Sequence, residues 1–193
     1  MLIYQNLTTR NLVRRNDTAR IKYIVIHYTA NDKDTAKNNT DYIKTEYRGT
    51  SAHYFVDPHE IWQAVEDKNI AWHCGGEVSY DHPYCRNSNS IGIELCSRYN
   101  GNLARDKKNN CVDFSKFYFE DATVTNAIKL TKKLMKQYNI PVENVIRHYD
   151  VTGKICPAPF CEERNYAWSN FKQQLMMLDE INDIAWELGN RQI

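Results

Sequence analysis

Residues 21–28, Ile-Lys-Tyr-Ile-Val-Ile-His-Tyr, are almost unbroken in β-branched and aromatic side chains. Such a run is what a strand buried on both faces needs. It predicts the central strand of a covered sheet, with His27 near its end. Working outward, residues 34–47 place Ala36, Tyr42, Ile43 and Tyr47 at partly helical spacing before Gly49, which predicts a helix. Residues 52–57 and 60–65 read as two short strands of a hairpin turning at Pro58. Over residues 90–96, Ile91, Ile93 and Leu95 alternate with Gly92, Glu94 and Cys96, so one strand face is apolar and the other carries Glu94. From Asp121 to Tyr138 an apolar stripe (Val124, Ala127, Ile128, Leu134, Met135, Tyr138) ends in lysines and is followed by Pro141, a well-punctuated amphipathic helix. Val145 to His148 is a short strand after it, and prolines 157 and 159 block regular structure beyond Cys156.

Strands separated by helices, with one hairpin interposed, imply an α/β fold: a mixed central β-sheet flanked by α-helices. Tyr166 to Leu188 repeats Trp168, Phe171, Leu175, Leu178, Ile181, Ile184 and Leu188 at spacings of three and four. The expected organisation is a domain over residues 1–165 and a C-terminal helical tail, 166–193, that either packs on the domain or projects from it. Trp168 and Phe171 are expected to be buried in both cases, and Trp186 and Leu188 exposed only if the tail projects.

The 193 residues suit one domain, and 42% hydrophobic with 25% charged residues suits a packed core. Lys and Arg total 25 against 24 Asp and Glu, a net charge of +1, so charge offers no reason for a nucleic-acid or anionic-membrane partner. The first twenty residues hold no apolar run of signal-peptide length, and no apolar stretch reaches about eighteen residues. The expectation is a chain made in a cytoplasm without an export signal. Six cysteines then read as reduced thiols or metal ligands rather than a disulfide framework.

Three potential ligands fall at the ends of expected strands or just beyond: His27, His148 and Cys156. Two imidazoles and a thiolate suit Zn²⁺, and three protein ligands leave a fourth position open for water or substrate. Taken singly, a histidine at a strand end is more often a hydrogen-bonded structural residue, and a lone cysteine is usually a small core hydrophobe. Metal-held imidazoles are oriented by their second nitrogen, so at least one of the two histidines is expected to donate to a carbonyl or carboxylate.

The motifs IVIHYTA (24–30), SAHYFVD (51–57), AWHCGG (71–76), NSIGIELC (89–96) and VIRHYDVTGKICPAPF (145–160) stand in that order. Together they resemble the zinc-dependent N-acetylmuramoyl-L-alanine amidases of the type 2 family, which includes phage endolysins and autolysins and extends to bacteriophage T7 lysozyme and the peptidoglycan recognition proteins. The resemblance implies a zinc cofactor on His27, His148 and Cys156, and catalytic roles for Lys154 and Glu94. It implies peptidoglycan as substrate, cleaved between N-acetylmuramic acid and L-alanine, and action on the cell wall after release from the cytoplasm. A carboxylate beside the metal is suited to proton transfer, and a cation two positions before the cysteine to stabilising an oxyanion.

Where some members carry a tyrosine on the SAHYFVD strand, this chain has His53 followed by Tyr54. Only one of the two faces the metal, and Glu94, His53 and Tyr54 remain the candidates for the base. Trp72 and His73 match the family's groove-lining pair, so His53, His73 and Trp72 are the substrate-contact candidates. The other cysteines read as free thiols. Two further readings are a peptidoglycan-binding module without catalysis and an amidase for soluble anhydro-muropeptides. The expected state is a monomer or weak homo-oligomer.

Overall fold

The computed structural model describes residues 1–75, 79–107 and 111–177. The strands are β1 (Tyr4–Gln5), β2 (Leu12–Val13), β3 (Tyr23–Tyr28), β4 (Tyr54–Val56), β5 (Ile61–Gln63), β6 (Ile70–Ala71), β7 (Ser90–Leu95), β8 (Arg98–Tyr99), β9 (Phe117–Tyr118) and β10 (Val145–Arg147). The helices are α1 (Ala36–Thr45), α2 (Asp121–Tyr138), α3 (His148–Thr152) and α4 (Asn165–Met176). Six strands form one sheet in the order β1-β5-β4-β7-β3-β10. All its pairs are parallel except the β4–β5 hairpin, so the sheet is mixed, as expected.

β3 and β7 lie side by side, β7 at the centre and β3 between it and the edge strand β10, with His27 opposite Glu94 and Ile26 opposite Ile93. Ile24, Ile26, Ile91, Ile93 and Leu95 point to the main core, where they meet Leu130 and Leu134 of α2 and Phe171 and Leu175 of α4. Each such fully buried aliphatic side chain contributes about 1.5–3 kcal/mol. Val25 points the other way, into a second cluster with Ile146 and Val151. Both faces of β3 are therefore covered, as its composition requires.

α2 spans the residues expected of it and ends at Asn139, whose φ of 51° is the left-handed cap. α1 is shorter than residues 34–47 because Thr35 accepts from the Asn38 N–H and so starts the helix there. Asp57 orders the hairpin turn: its Oδ1 accepts from the backbone N–H groups of His59 and Glu60, and its Oδ2 from that of Ala36. The expected strand over 145–148 stops at Arg147, and His148 opens α3 instead. The cause is Asp150, whose Oδ2 accepts from the Arg147 N–H at 2.8 Å and turns the chain.

In the tail, α4 packs on the core through Phe171 and Leu175. Trp168 differs from expectation in being half-buried: it stacks on Phe171 at 5.4 Å and meets Phe160 and the Lys172 ammonium. Leu178, Ile181, Ile184, Trp186 and Leu188 lie outside the described residues.

Candidate active site

The site forms where β3, β7 and β10 end together. Side chains two apart on a strand share a face, so Val25 and His27, Gly92 and Glu94, and His53 and Phe55 all stand on the side of the sheet away from α2. His148 and Cys156 come to the same place through the turn after β10. Arg147 fixes that turn, reaching Asp150 Oδ1 (2.6 Å), Asn165 Oδ1 (2.6 Å) and the Phe160 carbonyl (2.7 Å). Gly153 closes α3 at a φ of 72°, a conformation glycine adopts without strain. The Tyr149 N–H donates to the Cys156 carbonyl and folds the loop back over the helix.

His27, His148 and Cys156 are all buried, and their ligand atoms lie within 4.8 Å of one another. Cys156 Sγ is 3.7 Å from His27 Nδ1. That is close to the edge of a tetrahedron built on zinc–sulfur and zinc–nitrogen bonds of about 2.3 and 2.0 Å. Electrostatics point the same way. Burial, with the neighbouring histidines and Lys154, lowers the His27 pKa well below its usual range and that of His148 to about 3, which keeps both imidazoles neutral. Burial and the nearby Glu94 push the Cys156 thiol up, against the pull of Lys154. Burial also raises Glu94 to about 8, and its Oε2 has no hydrogen-bond partner among the described residues. A buried set of neutral donors with an orphaned carboxylate fits a cation.

A chain of hydrogen bonds fixes the tautomer of His27. Ser90 Oγ donates to the Arg86 carbonyl (2.6 Å), so it accepts from His73 Nε2 (3.2 Å). His73 Nδ1 is then bare and accepts from His27 Nε2–H at 3.0 Å. The His27 Nδ1 lone pair is left facing Cys156. This corrects the expectation that a carbonyl or carboxylate would orient a ligand histidine, since another imidazole does so. Gly92 makes the arrangement possible: a Cβ there would lie 2.5 Å from His73 Cγ. The sequence signal was the glycine inside an otherwise well-formed strand. Asn87 anchors the His73 segment, its Oδ1 accepting from the His73 and Cys74 N–H groups.

His27, His73, Glu94, His148, Lys154 and Cys156 line a single cleft of about 850 Å³. Its walls include Asp34, Asn39 and Tyr42 from α1 and the loop before it, Phe55 from β4, and Arg105 and Phe114 opposite. These walls were not foreseen. Two expected substrate contacts stand elsewhere. His53 faces the correct side but one layer lower, fully buried beneath His73: its Nδ1 accepts from the Gly92 N–H and its Nε2 donates to the Asn69 carbonyl. Tyr54 faces the main core and donates to Asp67. The residue level with Glu94 on β4 is Phe55, which leaves Glu94 as the carboxylate beside the ligand set. Trp72 is half-exposed at the rim, edge-on to Tyr47, and is not part of the cleft lining.

A family model described as N-acetylmuramoyl-L-alanine amidase matches residues 17–159. Among curated relatives, the amidase CwlL of Bacillus licheniformis is 32% identical over 80% of this chain and 42% of its own length. The amidase CwlH of Bacillus subtilis is 32% identical over 77% of this chain and 50% of its own. The chain thus spans half or less of the length of these relatives. Solved structures of PlyL (27% identical, TM-score 0.68, covering 91% of this chain and 97% of that one) and of the catalytic domain of XlyA (29%, 0.67, 91% and 99%) share the fold. The strand ends that gather His27, Glu94, His148 and Cys156 all lie within the matched segment, and the chain belongs to the N-acetylmuramoyl-L-alanine amidase family.

Proposed function

We propose that this chain binds one zinc ion through His27, His148 and Cys156 and hydrolyses the amide bond between N-acetylmuramic acid and the L-alanine of the peptidoglycan stem peptide. The observation that carries the reading is the convergence of the three buried donors with the unpartnered Glu94 carboxylate in one cleft. Zinc bound there supplies Lewis-acid polarisation of an amide carbonyl and makes water acidic enough to attack at neutral pH.

The chain's own groups supply the remainder. Glu94 takes the proton from the attacking water and returns it to the departing amine of L-alanine. Burial raises its pKa above the usual carboxylate range in the metal-free site, and the charge of a bound cation would favour the ionised form that acts as base. Lys154 stands exposed at the cleft and donates to the oxyanion as it forms. His73 holds the His27 ring, and His53 supports His73 from below. Tyr42, Phe55 and Phe114 offer apolar surface to sugar and peptide.

Action on the bacterial cell wall, as an endolysin or a prophage-derived autolysin, follows from the same reading. An endolysin from Bacillus subtilis that is 30% identical, with a TM-score of 0.66, supports it. The test is digestion of purified sacculi by protein whose metal content has been measured. New amino termini without new reducing ends, and one zinc per chain, are expected. Binding to sacculi with neither product leaves only a binding module, and cleavage of soluble muropeptides alone moves the substrate away from the wall.

A further inference from the structure

Helix α4 lies beyond the segment that the family model matches, residues 17–159, yet it reaches the turn that carries two of the three zinc donors. Three of its side chains make the contact. Asn165 Oδ1 accepts from Arg147 Nη1 at 2.6 Å, and the centre of the Trp168 ring lies 5.5 Å from Arg147 Cζ. Lys172 Nζ donates to the Val142 and Val145 carbonyls, where β10 begins. We propose that Asn165 is a positioning residue for the metal site, acting through Arg147 on the turn that places His148 and Cys156, a role that presupposes the zinc proposed for the cleft.

The route from Asn165 to the ligands is rigid. A guanidinium is planar and its donors leave in fixed directions, so holding one edge sets the other. Arg147 is buried, and its Nη1 uses both hydrogens on one side, one to Asn165 and one to the Phe160 carbonyl at 2.7 Å. The opposite edge grips Asp150 at two points, Nη2 to Oδ1 at 2.6 Å and Nε to Oδ2 at 3.0 Å. Asp150 Oδ2 in turn accepts from the Arg147 N–H, and α3 starts at His148. The Tyr149 N–H then ties the Cys156 carbonyl to the same turn at 2.8 Å. The rings of Trp168 and Tyr149 lie 5.5 and 5.1 Å from the guanidinium and add cation–π attraction. Without Asn165 the Nη1 edge keeps one hydrogen-bond anchor, and the plate can pivot about the Phe160 carbonyl and carry Asp150 with it.

A purely structural role would look different. Among the described residues the Asn165 side chain bonds to Arg147 alone, and α4 begins without a side-chain cap, so Ala at this position takes no hydrogen bond from the helix. Asn165 is also exposed, so little packing is lost with it. The grip of α4 on the core passes through Phe171 and Leu175, which the substitution leaves in place. Loss of the Asn165 acceptor should therefore loosen the turn after β10 and leave the core as it was.

The test uses the full chain and starts without metal. In Asn165→Ala, hydrogen exchange at the Arg147, Tyr149 and Gly153 amides should quicken by about tenfold, the equivalent of one hydrogen bond to a charged group. The amides of α2 and the urea midpoint should stay at their wild-type values. Zinc affinity, read by competition with a chelator, should fall by about three- to tenfold, less than the roughly 10–100-fold expected for losing a ligand's direct partner. Asn165→Asp returns an acceptor to Nη1 and should restore both readings. Unchanged exchange at the turn, exchange that quickens equally along α2, or no recovery in Asn165→Asp overturns the proposal. If the wild-type chain takes up no zinc, the zinc amidase reading falls, and the exchange measurement still decides the role of Asn165.

Discussion

The two faces of β3 and β7 are built from alternate residues of the same few positions and obey different physics. One presents Ile24, Ile26, Ile91, Ile93 and Leu95 to α2 and α4. The other presents His27 and Glu94 to a cleft, with Gly92 beneath the His73 ring. Stability from the first face scales with buried apolar area. The second opposes folding, because it holds several histidines and an unpartnered Glu94 oxygen out of water. Sheet pleating lets a single pair of strands anchor the core and carry the chemistry, and a cation on the polar face offsets part of what its burial costs. Substitutions on the two faces should therefore separate cleanly into losses of stability and losses of activity.

The largest effect expected is on the polar face. Cys156→Ser should bring bound zinc, read by elemental analysis, from one per chain to near zero and reduce hydrolysis of sacculi to background, without unfolding the core. Full activity in that variant after chelation would break the division at once. Glu94→Gln should keep zinc and fold while turnover falls by about 10²–10⁴. The same variant tests the electrostatic half of the argument in metal-free protein. Glu94 titrates near 8 when folded against its ordinary 4.5, so the folded state binds a proton that the unfolded chain has already lost. Its contribution is fully present below pH about 4.5 and is lost as pH rises through about 8, a decline of several kcal/mol. The histidines held neutral, His27, His53 and His148, add stability as pH rises to about 6.5. The Glu94 decline is therefore read as the difference between wild type and Glu94→Gln, which should shrink as pH rises through about 8. Parallel slopes would mean that the carboxylate is solvated.

On the apolar face, Ile93→Ala should cost about 2–5 kcal/mol in urea unfolding. Turnover per folded, zinc-loaded molecule should be unchanged, although Ile93 is the immediate neighbour of Glu94. A fall in turnover at full folding would show that the two faces are coupled. Lys154→Ala should lower turnover by about 10–10² with zinc retained, a smaller loss than for a buried donor because Lys154 is exposed to solvent. A change confined to KM would make it a ground-state clamp.

How much of this was legible follows from the periods involved. β3 was readable from an almost unbroken β-branched and aromatic run, and β7 and α2 because their apolar residues repeat at two or 3.6 over six residues or more. Parity also gave the face of Glu94 and the face of His53. Its limit was the layer: the parallel register of β4 against β7 sets Phe55, not His53, level with Glu94, and no local pattern encodes a shift of two residues between distant strands. His148 at the head of a helix depends on the Asp150 side chain three residues on. The hold of His73 on His27 joins positions 46 apart through a loop. The cleft walls depend on where α1 and the segment around Arg105 pack, which is tertiary information.

The smallest effect expected belongs to the position where the two faces meet most tightly. Gly92 has an ordinary strand conformation, so Ala there suffers no backbone strain. Its Cβ would nonetheless lie 2.5 Å from His73 Cγ and 2.8 Å from His73 Nδ1 and Cδ2. The ring must move, and it is packed between His27, His53 and Ser90. Overpacking of this kind costs about 1–3 kcal/mol. Displacing the ring also weakens its bond to His27 Nε2, so zinc affinity should fall by about tenfold, the lower end for losing an orienting partner. A double-mutant cycle separates the two causes. His73→Ala removes the obstacle, so adding it to Gly92→Ala should recover the stability lost to crowding while zinc affinity stays low. Recovery of both would mean that His27 needs no partner, and recovery of neither would place the effect of Gly92 in the strand rather than in the histidine it admits.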